Sequence, residues 1–265
     1  MRRDIFQIIE VTRKLKMRVY LLSNASLITK EYAQILSDLK ITEFSTTIFS
    51  MDETINDSIT LKKGSLKMVL QGLENLKRNN IEVLIKTPVM QKNVINITDV
   101  KNFCDKNGFR YFASALIMGK SDGDQSTKNL RVKSCDFPNL VNKIDKLSGN
   151  REEEKHNVAV PCKPLHYSFS IDCKGNVYPC NSFYYKVGNI FNKSIYEIWY
   201  HSKEMEFIRD LKNSDLEKCN DCALYRYCDR CPGIVYQENK DMISCDQYAK
   251  SVAKVRMNNE ISRQK

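Results

Sequence analysis

Two closely spaced pairs of cysteines constrain this chain more than any other feature of its sequence. Between Cys219 and Cys231 four of thirteen residues are cysteines, and five residues separate the two Cys-x2-Cys pairs. A spacing of two residues lets a tight turn direct both thiolates of a pair toward one centre. Four thiolates suit a tetrahedral zinc ion or an iron–sulfur cluster, because both take soft sulfur ligands. The run by itself therefore predicts a metal centre and leaves these two alternatives open.

The rest of the sequence favours metal binding over disulfides for the ten cysteines. No apolar run approaches the roughly 20 residues that a membrane-spanning helix needs. The basic N-terminal segment is interrupted by Glu10 and Arg13, whereas a signal peptide has an unbroken apolar stretch. We therefore expect a cytoplasmic protein with no membrane association, in a reducing compartment where thiols bind metals or catalyse.

The net charge of +10 does not by itself predict a nucleic-acid partner. Lysine and arginine are spread along the whole chain and interleaved with aspartate and glutamate, and no nucleic-acid-binding motif occurs. Solvated surface charge accounts for this distribution, so we expect no nucleic-acid partner.

Up to about residue 116 the sequence alternates between strand-like and helix-like segments. Strands are predicted for four apolar segments, 18–24, 43–50, 81–89 and 110–118. Helical spacing of apolar residues predicts four helices around them: one from Ile5 to Leu15, one capped by Thr29, one beginning at Ser65 and one ending at Gly108. This alternation predicts βαβ units and a parallel sheet, either in a barrel or in an open doubly wound arrangement. Neither GxGxxG nor GxxxxGKS/T occurs, so the two common nucleotide-binding fingerprints are absent.

The alternation fades between about residues 119 and 160, where a polar loop and a predicted linker at 148–157 occur. From Cys162 the sequence predicts a β-hairpin with Gly175-Asn176 in its turn. Short helices, the cysteine run and a final helix after Cys245 follow. We therefore predict two domains, 1–150 and 158–255.

Seven cysteines follow an ordered pattern in the second half of the chain. The pattern is C-x12-G-x4-C, a gap, C-x2-C-x5-C-x2-C, a second gap and a final C. This order resembles the SPASM extension of radical S-adenosylmethionine (radical SAM) enzymes that modify peptides and proteins. The flanking segments GNVYPC, VGNI, SIYEIW and CDRCPG resemble it too. In the first half, LLSNAS, FSTTIFSMDETIND, VLIKTPVMQKN and SDGDQS resemble the later strands and loops of the barrel of the same enzymes.

The resemblance implies an α/β fold in which an incomplete radical SAM partial barrel is followed by a small cysteine-rich SPASM domain. It also implies two auxiliary 4Fe–4S clusters. Auxiliary cluster II would be held by Cys219, Cys222, Cys228 and Cys245. Auxiliary cluster I would be held by Cys162, Cys180 and Cys231. Cys173 is a candidate for a fourth ligand of cluster I, and the alternative is an exposed thiol in a turn.

The remaining cysteines and the histidines receive no metal role. Cys104 lies beside apolar residues on a predicted helix face and is expected in the core. Cys135 is left unassigned, and the three histidines at 156, 166 and 201 have no ligand-like spacing.

Two further motifs of the family do not occur in the 265 residues. Radical SAM enzymes carry a CxxxCxxC loop that binds the cluster which cleaves S-adenosylmethionine, and a GGE segment after the second strand; this sequence has neither. Its opening, MRRDIF, resembles the text that follows the GGE segment. We therefore expect a chain that begins inside the barrel: a truncated product, half of a split enzyme, or a protein that keeps only the auxiliary clusters.

Three polar residues match positions that contact S-adenosylmethionine in the family, namely Asn24, Thr47 and Ser50. The alternative is that they are ordinary polar residues at strand ends. Sulfatase-maturing relatives have an aspartate after the hairpin cysteine, where this chain has Asn181. An asparagine cannot accept a proton at neutral pH, so the resemblance favours a different modification of a peptide.

The expected function is that of the C-terminal part of a radical SAM enzyme that modifies a ribosomally made peptide or protein. The implied partners are a precursor peptide, a reductant such as ferredoxin or flavodoxin, and a chain that supplies the missing barrel strands. We expect this chain alone to bind iron and sulfide but not to cleave S-adenosylmethionine. The alternatives are a non-catalytic iron–sulfur electron carrier, a peptide-binding SPASM protein, half of a split enzyme, or a structural zinc protein.

Overall fold

The computed structural model describes residues 2–148 and 161–263. The predicted linker, apart from residue 148, and His156 lie outside the described residues. The described residues form two compact units, 2–117 with 130–148 and 118–129 with 161–263. Residues 118–129 thus pack with the second unit, and residues 130–148 belong again to the first unit. The predicted domain limits, 1–150 and 158–255, stay predictions.

The first unit is built on a four-stranded parallel sheet with the strand order β1-β2-β3-β4. Its strands are Tyr20–Leu22 (β1), Glu43–Thr47 (β2), Val83–Pro88 (β3) and Arg110–Ser114 (β4). The four predicted strands are therefore confirmed, each shorter than the apolar segment that predicted it. Within the described residues β1 and β4 are the two edges, and the sheet is not closed into a barrel.

Six helices accompany this sheet, of which two were not predicted. They are Ile5–Lys14 (α1), Lys30–Asp38 (α2), Glu53–Thr60 (α3), Ser65–Arg78 (α4), Ile97–Asn107 (α5) and Phe137–Ser148 (α6). The Thr29 hydroxyl accepts the Tyr32 amide at 3.2 Å and caps α2, and α5 ends at Gly108 in the left-handed region, both as predicted. The unpredicted α3 is capped in the same way by Asp52.

Helices cover one face of the sheet, and their apolar residues form its core. Phe44 and Ile85 from the strands pack with Leu36 and Leu73 from α2 and α4. Because side chains alternate along a strand, the neighbouring positions on β2 and β3 face the opposite side. That side carries an ion pair in which Arg110 meets the buried Glu43 carboxylate at 2.5 Å.

The second unit contains a small antiparallel sheet and short helices. The strands are Ser170–Ile171 (β5), Asn176–Tyr178 (β6) and Gly188–Asn189 (β7). The predicted hairpin joins β5 and β6, with Gly175 in its turn at φ 75° and Asn176 already in β6. The helices are Ile195–His201 (α7), Lys203–Arg209 (α8), Glu217–Asn220 (α9), Pro232–Asn239 (α10) and Gln247–Arg263 (α11).

The core of the second unit is small and is reinforced by one arginine. Phe183, Ile198 and Met205 are among its buried residues. The Arg209 guanidinium lies 3.8 Å from the centre of the Trp199 ring and donates to the Trp199 carbonyl at 2.7 Å. Such cation–π and hydrogen-bond contacts hold the short helices together where few apolar contacts are available. None of the helices in the described residues combines the length and apolar character needed to cross a bilayer.

Candidate metal centre

Four thiols from two separate segments line one cavity in the second unit. This four-thiol group consists of Cys219, Cys222, Cys228 and Cys245, and the cavity has a volume of about 340 Å³. Three lysine and arginine side chains also line it, namely Lys218, Arg230 and Lys250. One carboxylate, that of Asp246, lines it too, so the cations outnumber the anions. Soft sulfur donors with an excess of positive charge nearby suit an anionic metal–sulfur centre.

Three members of the four-thiol group are brought together by consecutive tight turns. Cys219 lies on the short helix α9, and the Cys222 amide donates to its carbonyl at 3.1 Å. The Tyr225 amide donates to the Cys222 carbonyl at 2.9 Å, and the Cys228 amide donates to the Tyr225 carbonyl at 3.1 Å. Each turn reverses the chain, so three thiols separated by up to nine residues reach one cavity.

Cys245 comes from a different segment, which folds into its own compact turn. The Asp241 carboxylate accepts the amides of Ile243 at 2.9 Å and Ser244 at 2.6 Å. Immediately after Cys245, Asp246 accepts the Ala249 amide at 2.9 Å and caps the first turn of α11. The position of this thiol thus depends on a loop and a helix outside the cysteine run.

The other three predicted ligands, Cys162, Cys180 and Cys231, form a second set, which we call the three-thiol group. Cys231 is the residue that precedes α10, and Cys162 and Cys180 both pack against the core of the second unit. The N-terminus of α10 lies against the segment after Cys180 so closely that only glycine fits at position 233. A Cβ there would meet the Ser182 carbonyl oxygen and come within 2.8 Å of the Phe183 Cβ.

Burial is the main influence on the thiol pKa values. Burial, together with the negative charges that Cys231 and Cys180 would carry, raises the pKa of Cys162 to about 11. Burial likewise raises the pKa of Cys228 to about 11. The pKa of Cys219 is raised by burial as well, while the positive charge of Arg230 opposes this shift. Without a bound cation these thiols keep their protons at neutral pH, and binding of a metal centre would release them.

Backbone amides also point at the thiol sulfurs. The Ser182 amide donates to the Cys180 sulfur at 3.3 Å. Burial raises the pKa of Cys231, whereas hydrogen bonds from the amides of Ile234 and Gly233 lower it. Such donors favour the thiolate form and are one of the means by which proteins tune metal–sulfur centres.

The thiols of the four-thiol group line open space. Within residues 2–148 and 161–263, no three Cys, His, Asp or Glu side chains stand in the arrangement of a closed metal site. A zinc ion would need its sulfur ligands at about 2.3 Å. The donor set, the cavity, the amide donors and the neighbouring cations fit a larger, anionic cluster, and the two ligand sets stay predictions.

The remaining sulfur and histidine positions take no part in the two thiol groups. Cys173 is exposed in the turn between β5 and β6. Cys104 is fully buried in the core of the first unit, as predicted, and burial raises its pKa to about 12. Cys135 is exposed, as is His201.

The residues predicted to contact S-adenosylmethionine lie after neighbouring strands of the first unit. Asn24 is exposed after β1, and its side-chain Oδ1 accepts a hydrogen bond from the Ser26 hydroxyl at 2.8 Å. Thr47 ends β2, is half-buried, and pairs across the strands with Lys86. Ser50 is fully buried, and its hydroxyl accepts the Asp52 amide at 3.0 Å, which is a structural role. The assignment of all three to the cofactor stays a prediction.

Sequence reasoning missed two residues that shape the thiol groups, Arg230 and Gly233. Both residues belong to the CDRCPG segment, which contributed to the family resemblance. The resemblance did not predict a role for either of them. Their importance depends on partners at positions 182–183 and 242–244, which spacing within the segment cannot reveal.

Two family comparisons match the two halves of the chain. Residues 1–105 match the radical SAM superfamily. Residues 162–232 match SPASM, described as an iron–sulfur cluster-binding domain. The second match contains six of the seven predicted cluster ligands, all except Cys245.

Individual proteins show the same likeness at low identity. The AdoMet-dependent heme synthase of Methanosarcina barkeri is 20% identical over 280 residues, covering 93% of this chain and 78% of the relative. The sporulation killing factor maturation protein SkfB of Bacillus subtilis is 21% identical over 219 residues, covering 78% of this chain and 52% of the relative. A solved structure of native anSMEcpe with bound AdoMet and the Cp18Cys peptide has a TM-score of 0.66 at 19% identity, covering all of this chain and 83% of that one.

The fold and the family matches agree with each other. The parallel sheet with its helices corresponds to the superfamily match, and the cysteine-rich second unit contains the residues that match the cluster-binding domain. The predicted fold class, a radical SAM α/β domain followed by a SPASM domain, is confirmed. Residues 1–105 of this chain therefore correspond to the radical SAM superfamily, and residues 162–232 correspond to a SPASM iron–sulfur cluster-binding domain.

Proposed function

We propose that this chain takes part in the radical SAM modification of a ribosomally made peptide or protein, and that its SPASM unit binds two auxiliary 4Fe–4S clusters. The four-thiol group carries the proposal, because thiols from two separate segments line one cavity together with three cationic side chains. In this proposal Cys219, Cys222, Cys228 and Cys245 hold auxiliary cluster II. Cys162, Cys180 and Cys231 hold auxiliary cluster I, with Cys173 as a candidate fourth ligand.

The protein's own residues would bind, orient and tune these centres. Clusters of this kind accept and donate single electrons. Lys218, Arg230 and Lys250 would offset the negative charge of the four-thiolate centre. Amide donors to the sulfurs of Cys180 and Cys231 would stabilise the thiolate ligands of the other centre. Burial of the thiols would limit contact of both centres with water.

A peptide substrate is supported by what the similar proteins are named for. SkfB is a maturation protein for sporulation killing factor, and the anSMEcpe structure contains a bound peptide. The partners that follow are a precursor peptide and a reductant such as ferredoxin or flavodoxin. A second candidate is a reaction like that named for the heme synthase of M. barkeri, since that relative matches 93% of the chain. Binding of a peptide library or of a tetrapyrrole by the purified chain distinguishes the two.

The CxxxCxxC run that the superfamily uses for radical generation does not occur in these 265 residues. Asn24, Thr47 and Ser50 would contact S-adenosylmethionine beyond the carboxyl ends of β1 and β2, with Ser50 in the turn between β2 and α3. The superfamily binds this cofactor through a cluster whose ligands do not occur in these 265 residues. We therefore expect no 5′-deoxyadenosine from this chain with reductant alone. If a partner chain supplies the loop, adding that partner would restore the formation of 5′-deoxyadenosine. If the chain is an electron carrier, no 5′-deoxyadenosine would form with any partner.

Metal analysis after anaerobic purification and reconstitution tests the proposal. We expect about eight iron and eight sulfide per chain, the content of two 4Fe–4S clusters. Stoichiometric zinc without sulfide would contradict the cluster assignment and favour a structural zinc site. Detection of 5′-deoxyadenosine from the chain alone would contradict the expectation for radical generation and leave the cluster assignment intact.

A further inference from the structure

We infer that Arg230 is a positioning residue that holds Cys245 in the four-thiol group. The inference rests on the proposed function only in naming the thiols as cluster ligands. Arg230 stands in the chain between Cys228 of the four-thiol group and Cys231 of the three-thiol group. It also lines the cavity that the four thiols share.

The contacts of Arg230 lead to the segment that delivers Cys245. Its Nε donates to the Ser244 carbonyl at 3.1 Å, and its Nη2 donates to the same carbonyl at 3.0 Å. The Nη2 atom also donates to the Met242 carbonyl. Ser244 directly precedes Cys245, so these bonds fix the backbone beside the thiol. A planar guanidinium can reach both carbonyls at once, whereas a single ammonium cannot reproduce this fork.

The segment that Arg230 holds is a preformed unit. Asp241 accepts two amides of the turn, and the Asn239 side chain donates to the Ser244 hydroxyl at 2.6 Å. Arg230 therefore does not have to build the turn; it docks a turn that already has its shape. Loss of Arg230 is then expected to release Cys245 while the turn itself persists.

Arg230 lines the cavity, and its charge also acts on the nearby Asp241 carboxylate. All its hydrogen bonds within the described residues go to backbone carbonyls, and none goes to a carboxylate. A positive charge beside an anionic cluster favours the reduced state, which carries one more negative charge. Arg230 would thus act in two separable ways, through hydrogen bonds on the position of Cys245 and through charge on the reduction potential.

The chain offers a matched control in Arg226. It lies in the same cysteine run, is exposed, and pairs with Glu260 of α11 at 3.1 Å. It does not line the cavity. R226Q and R230Q therefore remove the same charge from the same run, but only R230Q removes the contacts to the Cys245 segment.

The test compares wild type, R230Q, R230K and R226Q by two measurements. In the metal-free chain, the rate of Cys245 alkylation by iodoacetamide is followed by mass spectrometry, with the exposed Cys135 of the first unit as internal reference. We expect R230Q to raise this rate about tenfold through the loss of its hydrogen bonds, and R226Q to leave it unchanged. In the reconstituted chain, a redox titration is expected to give a lower cluster potential for R230Q. R230K is expected to keep the potential but to show faster Cys245 alkylation.

Each outcome decides something. Equal alkylation rates and equal potentials in R230Q and wild type would overturn the inference. If circular dichroism shows that R230Q does not fold, R230K decides, since unchanged Cys245 reactivity in R230K would also overturn it. If the wild type binds zinc and no sulfide, the proposed clusters are wrong, yet the alkylation rates still test the docking of Cys245.

Discussion

Replacing Gly233 with alanine should increase the distance between Cys231 and Cys180 in the three-thiol group. Gly233 is the second residue of α10, and Cys231 stands just before that helix. An added Cβ would meet the Ser182 carbonyl oxygen and lie 2.8 Å from the Phe183 Cβ. Carbon atoms pack at about 3.5–4.0 Å, so α10 must move away by roughly 0.7 Å or more. Phe183 is 1% exposed, which leaves its side chain no room to yield.

The cost of this substitution combines two opposing effects. Forcing an extra methyl group into a packed contact costs about 1–3 kcal/mol. Alanine gains at most ~1 kcal/mol over glycine in a helix, and less than that in the first turn. We therefore expect Gly233→Ala to lower the free energy of unfolding by about 1–2 kcal/mol. The same shift carries Cys231 away from Cys180, because Cys231 directly precedes α10, whereas Cys180 belongs to the segment from which α10 is displaced.

Two measurements follow from this geometry. The melting temperature of metal-free Gly233→Ala should fall, and its iron content after reconstitution should drop to about half of the wild-type value, since one of two clusters is affected. The matched control is Gly119→Ala in the same unit, where a Cβ meets only the flexible amide end of Gln125. Wild-type iron content and melting temperature in Gly233→Ala would refute the reasoning.

Three further predictions test other parts of the molecule. Cys228→Ser should reduce the iron content after reconstitution with little loss of stability. Cys104→Ser should keep the iron but lower the free energy of unfolding by about 1–3 kcal/mol, because it buries a hydroxyl in an apolar core. Equal iron losses in the two variants would contradict the ligand sets. Glu43→Gln should cost about 1 kcal/mol in urea unfolding, because its β4 arginine partner is largely exposed; no change in stability would show that the pair is inert. The Lys120 ammonium is the main cause that lowers the pKa of Asp124 to about 2, so any stability from this carboxylate is present above about pH 4 and is lost as the pH falls toward 2. Lys120→Met should raise that pKa in a carboxyl NMR titration, and an unchanged titration curve would contradict the assignment.

Much of the first unit could be predicted because its signals are local. The Thr29 cap, the start of α4 at Ser65 and the end of α5 at Gly108 each depend on residues within one turn of helix. The missed helix α6 had a readable pattern, since Phe137, Leu140, Val141 and Ile144 are all buried at helical spacing. The missed strand β7 is only two residues long, too short for any periodicity to appear.

The thiol spacing and the strand–helix alternation are properties of the chain itself, and they were enough to predict a metal-binding unit beside a parallel sheet. The tertiary structure brings Cys245 to the cavity lined by Cys219, Cys222 and Cys228, a grouping that the family resemblance implied but the spacing alone did not. It also shows Arg230 bonded to the Met242 and Ser244 carbonyls beside Cys245. It alone decided why glycine must occupy position 233, since the atoms that exclude a side chain there lie about fifty residues earlier in the chain. Helix caps, turns and ligand spacing depend on neighbouring residues and can be predicted from them. Contacts between segments that are distant in the sequence form only in the packed, folded chain.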